Sequence, residues 1–577
     1  MKTDLSQSKI ALKPYLEIIK NHCEQLSNEE LADVILRLAQ EVPVGKRVSF
    51  LNKIESCLPG SPSIKKTDLN LREELLNNIA ALKEEIEERI ASIEDGSYGD
   101  DNWDDRDYNE DPEYITDDQI SELDQFFLEV ESFFLEDQLK TAREIYQHLF
   151  QIFNELEGIE NSFSAKSSID IREARARYCR SVYETSNGKQ QIDEFFEAMN
   201  IHAPMSHYDL NLSKESYPLM QDVIEAKRGD LKSWDSFLPA WKKALMGCHT
   251  DRAEVLLMEA VNWLEGIEGV ARLARNWKAT QPRGYLFWIQ SVAEKGDWTG
   301  ILAIAQEALE ALPKNGFRVQ VSQYLIQAAQ ELGEEKLILH GKRERFFSSD
   351  KEQNLLGLLD EAIRQNLRTN ELENALEFLQ GHKRPENAGN ELYVKVLLMS
   401  GKLIEAFCEG KKEEAVGWSY GKAGIVFGST LFVLTNYSKQ AVTITKLLQQ
   451  YAENRYPWDY PSAQNQEIST TVYKEILKGL EQFSPTESEK NEFLDWAAKI
   501  GCDRINHIVS NKHRAAYSKA AEILGALAEC YLLLGDRNKA ANILRDFYDI
   551  KFKHYRAFRD EVKQVVNSSE LLKGLYL

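Results

Sequence analysis

The sequence predicts an all-α protein, a degenerate α-solenoid preceded by an N-terminal helical segment and an acidic linker. Three observations carry that expectation. Proline and glycine number only 14 and 30 in 577 residues while Leu, Glu, Ala and Lys abound, a balance that favours helix. Apolar residues recur at helical spacing from residue 120 nearly to the end. A chain this long also exceeds what one core supports, which points to several domains or an extended array.

The elements follow in order. Residues 1–58 hold two helical patterns, over 14–25 and 28–40, and Ser27 with Glu30 has the spacing of a capping box for the second. PGSPS at 59–63 breaks the pattern. Residues 59–94 then read as a linker and a long charged helix, LREELLNNIAALKEEIEERIASIE, with Leu71, Leu75, Ile79, Leu82, Ile86 and Ile90 on one stripe. Residues 95–118 are intensely acidic and expected to be flexible. Residues 119–577 read as the repeat array, and 500–577 as its basic capping hairpins.

The repeat unit is clearest in ECYLLLGDRNKAANIL, residues 529–544, where an apolar helix runs into Gly535-Asp536 and a second helical pattern starts at once. Leu527, Ala528, Tyr531, Gly535, Asp536 and Ala540 fall at a spacing that resembles a tetratricopeptide-type hairpin. Less complete copies carry Gly296-Asp297 with Ala308 and Pro313, Gly401 with Ala406, Gly229-Asp230, Asn370 with Ala375, and Asp137 with Ala142. Gly or Asn supplies the left-handed conformation that ends a helix, and each hairpin leaves an apolar face for the next to cover. Gly229 to Gly296 is 67 residues and Gly401 to Gly535 is 134, but Asp137 to Gly229 is 92, so the period is irregular.

RINHIVSNKHRAAYSKAAEILGALAECYLLLGDRNKAANILRDFYDIKFKHYRAFRDEV, residues 504–562, resembles the C-terminal helical region of bacterial proteins associated with SWIM-type zinc fingers. Its markers are His513-Arg514, Tyr517, Ala520-Ala521 and His554-Tyr555-Arg556-Ala557-Phe558, and LSNEELADVILRLAQEVP is similar to another stretch of that family. The resemblance implies a helical-repeat body and a nucleic-acid-related setting. The finger itself needs a C-x-C and a C-x-H pair, and this chain has neither, so no zinc site maps onto it.

A net charge of −23 repels phosphate and argues against whole-molecule attraction to nucleic acid or an anionic membrane. From Gly501 onward, however, 13 Lys and Arg face 9 Asp and Glu, which leaves a local basic surface open. Seven scattered cysteines without a C-x-x-C pair suit reduced thiols. The first residues lack a signal-peptide core and AGIVFGSTLFVLT is too short to span a bilayer, so the expectation is a cytoplasmic protein without membrane contact.

Candidate sites each meet a plainer reading. Asp105, Asp107, Asn109, Asp111 and Glu113 have the alternation of a calcium loop, but Glu110 replaces the turn glycine and Thr116 the last chelator. A solvated linker explains them better, or a docking segment for a basic partner formed by Trp103, Asp104, Asp105, Asp107, Tyr108, Asp111 and Tyr114. Cys502, His507 and His513 do not converge on one continuous helix, since His507 would sit about 140° from the other two. Cys248-His249 and His22-Cys23 are neighbours that point apart. Gly421, Gly424 and Gly428 lack the lysine placement of a phosphate loop and suit close helix packing. In KFKHYRAFR, Lys551, Lys553, Arg556 and Arg559 form a basic patch, read first as a polar cap and second as a nucleic-acid contact.

No catalytic, cofactor-binding or metal set emerges. The expected function is a non-enzymatic scaffold that binds a peptide or helix of a protein partner, with Trp234, Trp241, Trp263, Trp277, Tyr285 and Trp288 among its anchors. The alternative is a nucleic-acid-associated factor that uses the basic C-terminal end.

Overall fold

The computed structural model describes residues 10–41, 50–51, 54, 68–95, 113–188, 190–203, 216–381, 391–415, 421–453, 469–481 and 483–575. Among them the regular elements are all helical and no strand occurs. The chain forms two compact units, Met1–Ser291 and Val292–Leu577.

The first unit contains α1 (Leu12–Glu24), α2 (Asn28–Glu41), α3 (Asp68–Glu94), α4 (Asp117–Leu135), α5 (Leu139–Glu155) and α6 (Ile159–Lys166). It continues with α7 (Ile171–Thr185), α8 (Gln190–Ala198), α9 (Met220–Glu225), α10 (Trp234–Leu245), α11 (Asp251–Trp277) and most of α12 (Arg283–Ala293). The capping box before α2 is present: Glu30 N–H donates to Ser27 Oγ at 3.3 Å, and Ser27 N–H to Glu30 Oε2 at 2.8 Å. The long charged helix α3 is a core element. Leu75, Ile79, Leu82 and Ile86 are buried in one apolar cluster with Phe127, Phe150, Phe153 and Phe163, while Leu71 stays 41% exposed. Arg72–Glu144 and Lys83–Glu155 ion pairs tie its polar side to α5.

The second unit runs through α13 (Trp298–Ala311), α14 (Gly316–Leu332), α15 (Glu335–Ser348), α16 (Glu352–Arg364), α17 (Arg368–Gly381), α18 (Glu391–Met399) and α19 (Leu403–Gly410). It continues with α20 (Lys422–Leu434), α21 (Val442–Glu453), α22 (Val472–Leu480), α23 (Glu487–Ser510), α24 (Tyr517–Leu533), α25 (Arg537–Arg545), a π turn at Asp546–Lys551 and α26 (Arg556–Ser568). Each helix from α13 to α21 packs on the one that follows it, the nearest-neighbour logic of a solenoid. From α18 onward later helices also return onto earlier ones, α22 on α18, α23 on α20 and α24 on α21.

One turn geometry repeats. At Asp137, Gly333, Asn366, Gly401, Asn436, Lys512 and Gly535 the backbone takes a φ between 50° and 85°. The next N–H then reaches back five residues to a helix carbonyl at 2.7–3.2 Å, as in Asp536 to Tyr531 and Lys402 to Leu397. This Schellman arrangement satisfies carbonyls that the helix end leaves open. Asp536 also caps α25, accepting from Lys539 N–H at 3.0 Å, and the small residues Ala142, Ala406 and Ala540 are fully buried as expected. Asn370 is a correction: it lies inside α17, and the reversal occurs four residues earlier at Asn366. The run after Asn370 is rich in helix formers, whereas Asn366 directly follows the last turn of α16.

Candidate functional site

Most of the acidic candidate segment, Trp103, Asp104, Asp105, Asp107, Tyr108 and Asp111, lies outside the described residues. Its end is described, and its groups are committed to helix packing. Thr116 caps α4 with Gln119 in a capping box, Ile115 is buried, and Glu113 pairs with Lys166 at 2.7 Å. Tyr114 is 41% exposed. Thr116 therefore serves α4.

At the C-terminal end Lys551, Lys553 and Arg556 are exposed and Arg559 is half-buried. Two of the four are engaged internally. Arg559 stacks over Tyr548 at 4.2 Å and faces Asp549 at 3.9 Å, while Lys551 lies over Phe547 at 4.9 Å and donates to Asn506 at 3.2 Å. Arg556 faces Asp560 at 3.9 Å from a fully solvated position. Phe552 and Phe558 turn inward.

His507 and His513 do come together, contrary to the continuous-helix argument. Helix α23 stops at Ser510 and Lys512 reverses the chain, which sets the two rings 5.7 Å apart. Among the described residues, however, no group of three or more His, Cys, Asp or Glu is placed to hold a metal ion. Gly424 and Gly428 sit within α20, where a Cβ on Gly428 would approach Leu448 Cα to 3.1 Å, so close packing explains the glycine. The N-terminus of α20 receives the chain's own carboxylate, with Ala423 N–H donating to Glu413 at 2.8 Å.

The aromatic-rich stretch of the first unit divides by burial. Trp241, Tyr285 and Trp288 are core residues. Trp234 and Trp263 are half-buried and meet edge to face at 5.4 Å, bridging the packed pair α10 and α11. Met246, just past the end of α10, and Leu264, in α11, are 60% and 39% exposed.

A half-open hollow lies between α11 and α12. Gly266, at φ 66° and ψ −167°, bends α11 so that residues from its first half, Glu254, Val255 and Met258, and from its end, Trp277, line the same space. Arg283, Leu286, Phe287 and Gln290 of α12 complete the wall, and the free space including the mouth is about 370 Å³. Gly284 makes the approach possible: a Cβ there would lie 2.9 Å from Met258 Cε and 3.1 Å from Ala274 Cα. Glu254 is nine-tenths buried and accepts from Gln281 Nε2 at 2.5 Å. Burial pushes its carboxyl up to about 7, a rise to which Asp251 adds and which the Gln281 bond and Arg283 oppose. Arg283 faces Asp251 at 3.3 Å, and Gln281 Oε1 is buried with no hydrogen-bond partner.

Nearby charges are structural. Arg252 is buried and donates to the Met199 and Pro218 carbonyls at 2.8 and 2.7 Å. Arg175 forks onto Glu160 at 2.7 and 2.8 Å and stacks on Tyr217 at 3.9 Å. Glu259 accepts the N–H groups of Met220 and Gln221 at the start of α9, and burial pushes it up to about 7. Sequence reasoning did not find Glu254 or Gln281. Their partners come from across a bend that Gly266 alone signals, and glycine within a helical pattern is a weak signal.

Among the described residues no helix is long and apolar enough to cross a membrane. No protein-family model matches the chain, and no curated protein matches it. Among solved structures the chain is similar to a circular tandem repeat protein with novel repeat topology and enhanced subunit contact surfaces. The two are 13% identical over 79% of this chain and 97% of that one, with a TM-score of 0.16.

Proposed function

We propose that this protein is a non-enzymatic scaffold that binds a peptide or helix of a protein partner on the surface of its helical hairpins. The observation that carries the reading is the Trp234–Trp263 pair, two large aromatic side chains left half-buried across α10 and α11, with Leu264 exposed next in the chain and Met246 exposed just past the end of α10. Half-desolvated tryptophans of this kind are the usual anchors of protein interfaces. The acidic residues 95–118 would add an electrostatically steered contact to a basic partner. Nucleic-acid contact through Lys551, Lys553, Arg556 and Arg559 draws less support, because Lys551 and Arg559 already engage aromatic faces and neighbouring polar groups of their own chain.

The test begins with affinity capture from the native cell, using the full chain and a chain without residues 95–118. Captured proteins are then purified and titrated against the full chain by calorimetry. The expected result is saturable binding that Met246→Glu with Leu264→Glu weakens by about tenfold or more. Both positions are exposed, so the pair leaves the fold intact. A purified partner that binds the variant as well as the parent, or no partner that binds once purified, overturns the reading.

A further inference from the structure

We propose that the segments leading into α24 and α26 form one docking surface for a short acidic peptide of a protein partner, met by Lys512, Arg514, Lys553 and Arg556. The two helices pack together and run in the same direction. Tyr517, the first residue of α24, meets Phe558 near the start of α26 with ring centroids 6.0 Å apart, and Ser569 Oγ, just past α26, donates to Glu529 at 2.6 Å. Residues 511–516 and 552–555 therefore lie at one end of the pair. Lys551 Nζ donates to Asn506 at 3.2 Å and fastens the second segment to α23. Both segments are free of acid. The chain carries 93 Asp and Glu against 70 Lys and Arg, yet the 18 residues between Asp503 and Glu522 contain no acid, and neither do the 10 between Asp549 and Asp560. Lys512, Arg514, Lys553 and Arg556 are all exposed. The side chains of Lys512, Arg514 and Lys553 make no hydrogen bond or ion pair among the described residues, and Arg556 has only Asp560 at 3.9 Å. A merely solvated cap would be served by polar side chains of either sign, whereas one sign over two adjoining segments attracts the opposite one.

Two features favour the carboxylates of a peptide over the phosphates of a nucleic acid. Nucleic-acid binders add affinity by stacking bases on exposed aromatic rings. Here Tyr517, Phe552 and Phe558 are buried, and Tyr555 is half-buried, edge to face on Phe552 at 5.4 Å. An extended polyanion would also run beyond this end onto a chain of net charge −23. A segment of a few residues stays within reach of the four cations, since charges are screened over about 8 Å at physiological salt. Packed helices lie about 8–10 Å apart and an extended peptide rises about 3.3 Å per residue, so acidic side chains three residues apart can meet both segments. This surface belongs to the second unit and is independent of the Trp234–Trp263 pair, so either can fail without the other.

The full chain is titrated by calorimetry with a peptide of four Asp-Gly-Ser repeats, its Asn and Lys counterparts, and a deoxythymidine pentamer, whose phosphates carry the same charge of about −4. The expected result is a Kd of about 0.1 mM or tighter for the Asp peptide at low salt, about tenfold weaker binding of the pentamer, and none of the Asn or Lys peptide. Raising the salt from about 20 mM to about 200 mM weakens the Asp peptide by about fivefold or more. Lys512→Glu with Arg514→Glu and, separately, Lys553→Glu with Arg556→Glu each weaken it by about tenfold or more. Lys232→Glu with Lys243→Glu, which reverses two exposed cations of the first unit and changes the net charge equally, leaves affinity within about twofold. All six positions are exposed, so far-UV dichroism stays native. No binding of the Asp peptide, a pentamer that binds as tightly, full affinity in either variant of the basic end, or an equal loss in the first-unit control overturns the proposal.

Discussion

Glu529 has no exposed surface, and its carboxylate is tolerable in the core only because four donors meet it. Thr443 N–H and Oγ, Ile444 N–H and Ser569 Oγ all donate to it within 3.1 Å, at the N-terminus of α21. Glu529→Ala would strand buried N–H groups, at a cost of about 3 kcal/mol or more. Glu529→Gln would also destabilise, because its amide NH₂ would face donors. Thermal unfolding should show a midpoint lowered by about 5 °C or more in both variants; an unchanged midpoint would show that water replaces the carboxylate without cost. Glu254 and Glu259 are each pushed by burial from an ordinary 4.5 up to about 7. The folded state therefore holds protons that the unfolded chain has released. Their contribution is full below about pH 4.5 and is lost as the pH rises through 7, at up to about 1.4 kcal/mol per pH unit for each group. Denaturant midpoints measured from pH 5 to pH 8 should fall with pH in the parent and fall less in Glu259→Gln. None of these acids was legible as a site in the sequence. A buried carboxylate is identified by donors from distant segments, here 86 and 40 residues away for Glu529, and helical spacing carries no trace of them.

Helix boundaries and turns were far more legible, because their causes are local. Ser27 with Glu30, Gly535 with Asp536, and Gly401 signalled stops and starts that the backbone makes as expected. Asn366 was missed because Asn370 has the same spacing to Ala375 that glycine turns have to their small residue, and periodicity cannot tell the two apart. Lys512 was missed for a different reason: nothing about a lysine announces a φ of 58°. Where elements cross, glycine has a second role that sequence leaves ambiguous. In α22, Gly479 rests on the C-terminal end of α18, and a Cβ there would lie 2.1 Å from the Leu398 carbonyl oxygen and 2.6 Å from that of Met399. Both obstacles are backbone, so neither can rotate away. Gly479→Ala should force the helices apart and destabilise by about 1–3 kcal/mol, although alanine is the better helix former. Gly535→Ala tests the turn instead. With open space around its Cβ position and a φ of 85°, its expected cost is about 1 kcal/mol from backbone strain alone. If Gly535→Ala proves the more damaging change, the close helix approach is not what Gly479 serves.

At the scale of the whole chain, the division at residue 291 carries a prediction about cooperativity. A sequence of 577 residues is longer than one core usually sustains, and the contacts fall into two sets, each internally dense. The aromatic cluster of α3 to α6 belongs to the first unit, and the large aliphatic cluster from Leu339 to Leu575 to the second. Hairpin periodicity predicted a single array from residue 119 and could not mark this division, since helices on both sides obey the same local rules. If each core is its own cooperative element, calorimetry should resolve two transitions, and core variants should sort between them. Phe127→Ala, in the first cluster, should lower one midpoint; Phe493→Ala, in the second, should lower the other, each by about 3–5 kcal/mol of lost packing. The double variant should show the two shifts independently, as distant sites do. A single transition that both variants move by the same amount would mean that the two cores fold as one, and the contact division would then carry no thermodynamic meaning.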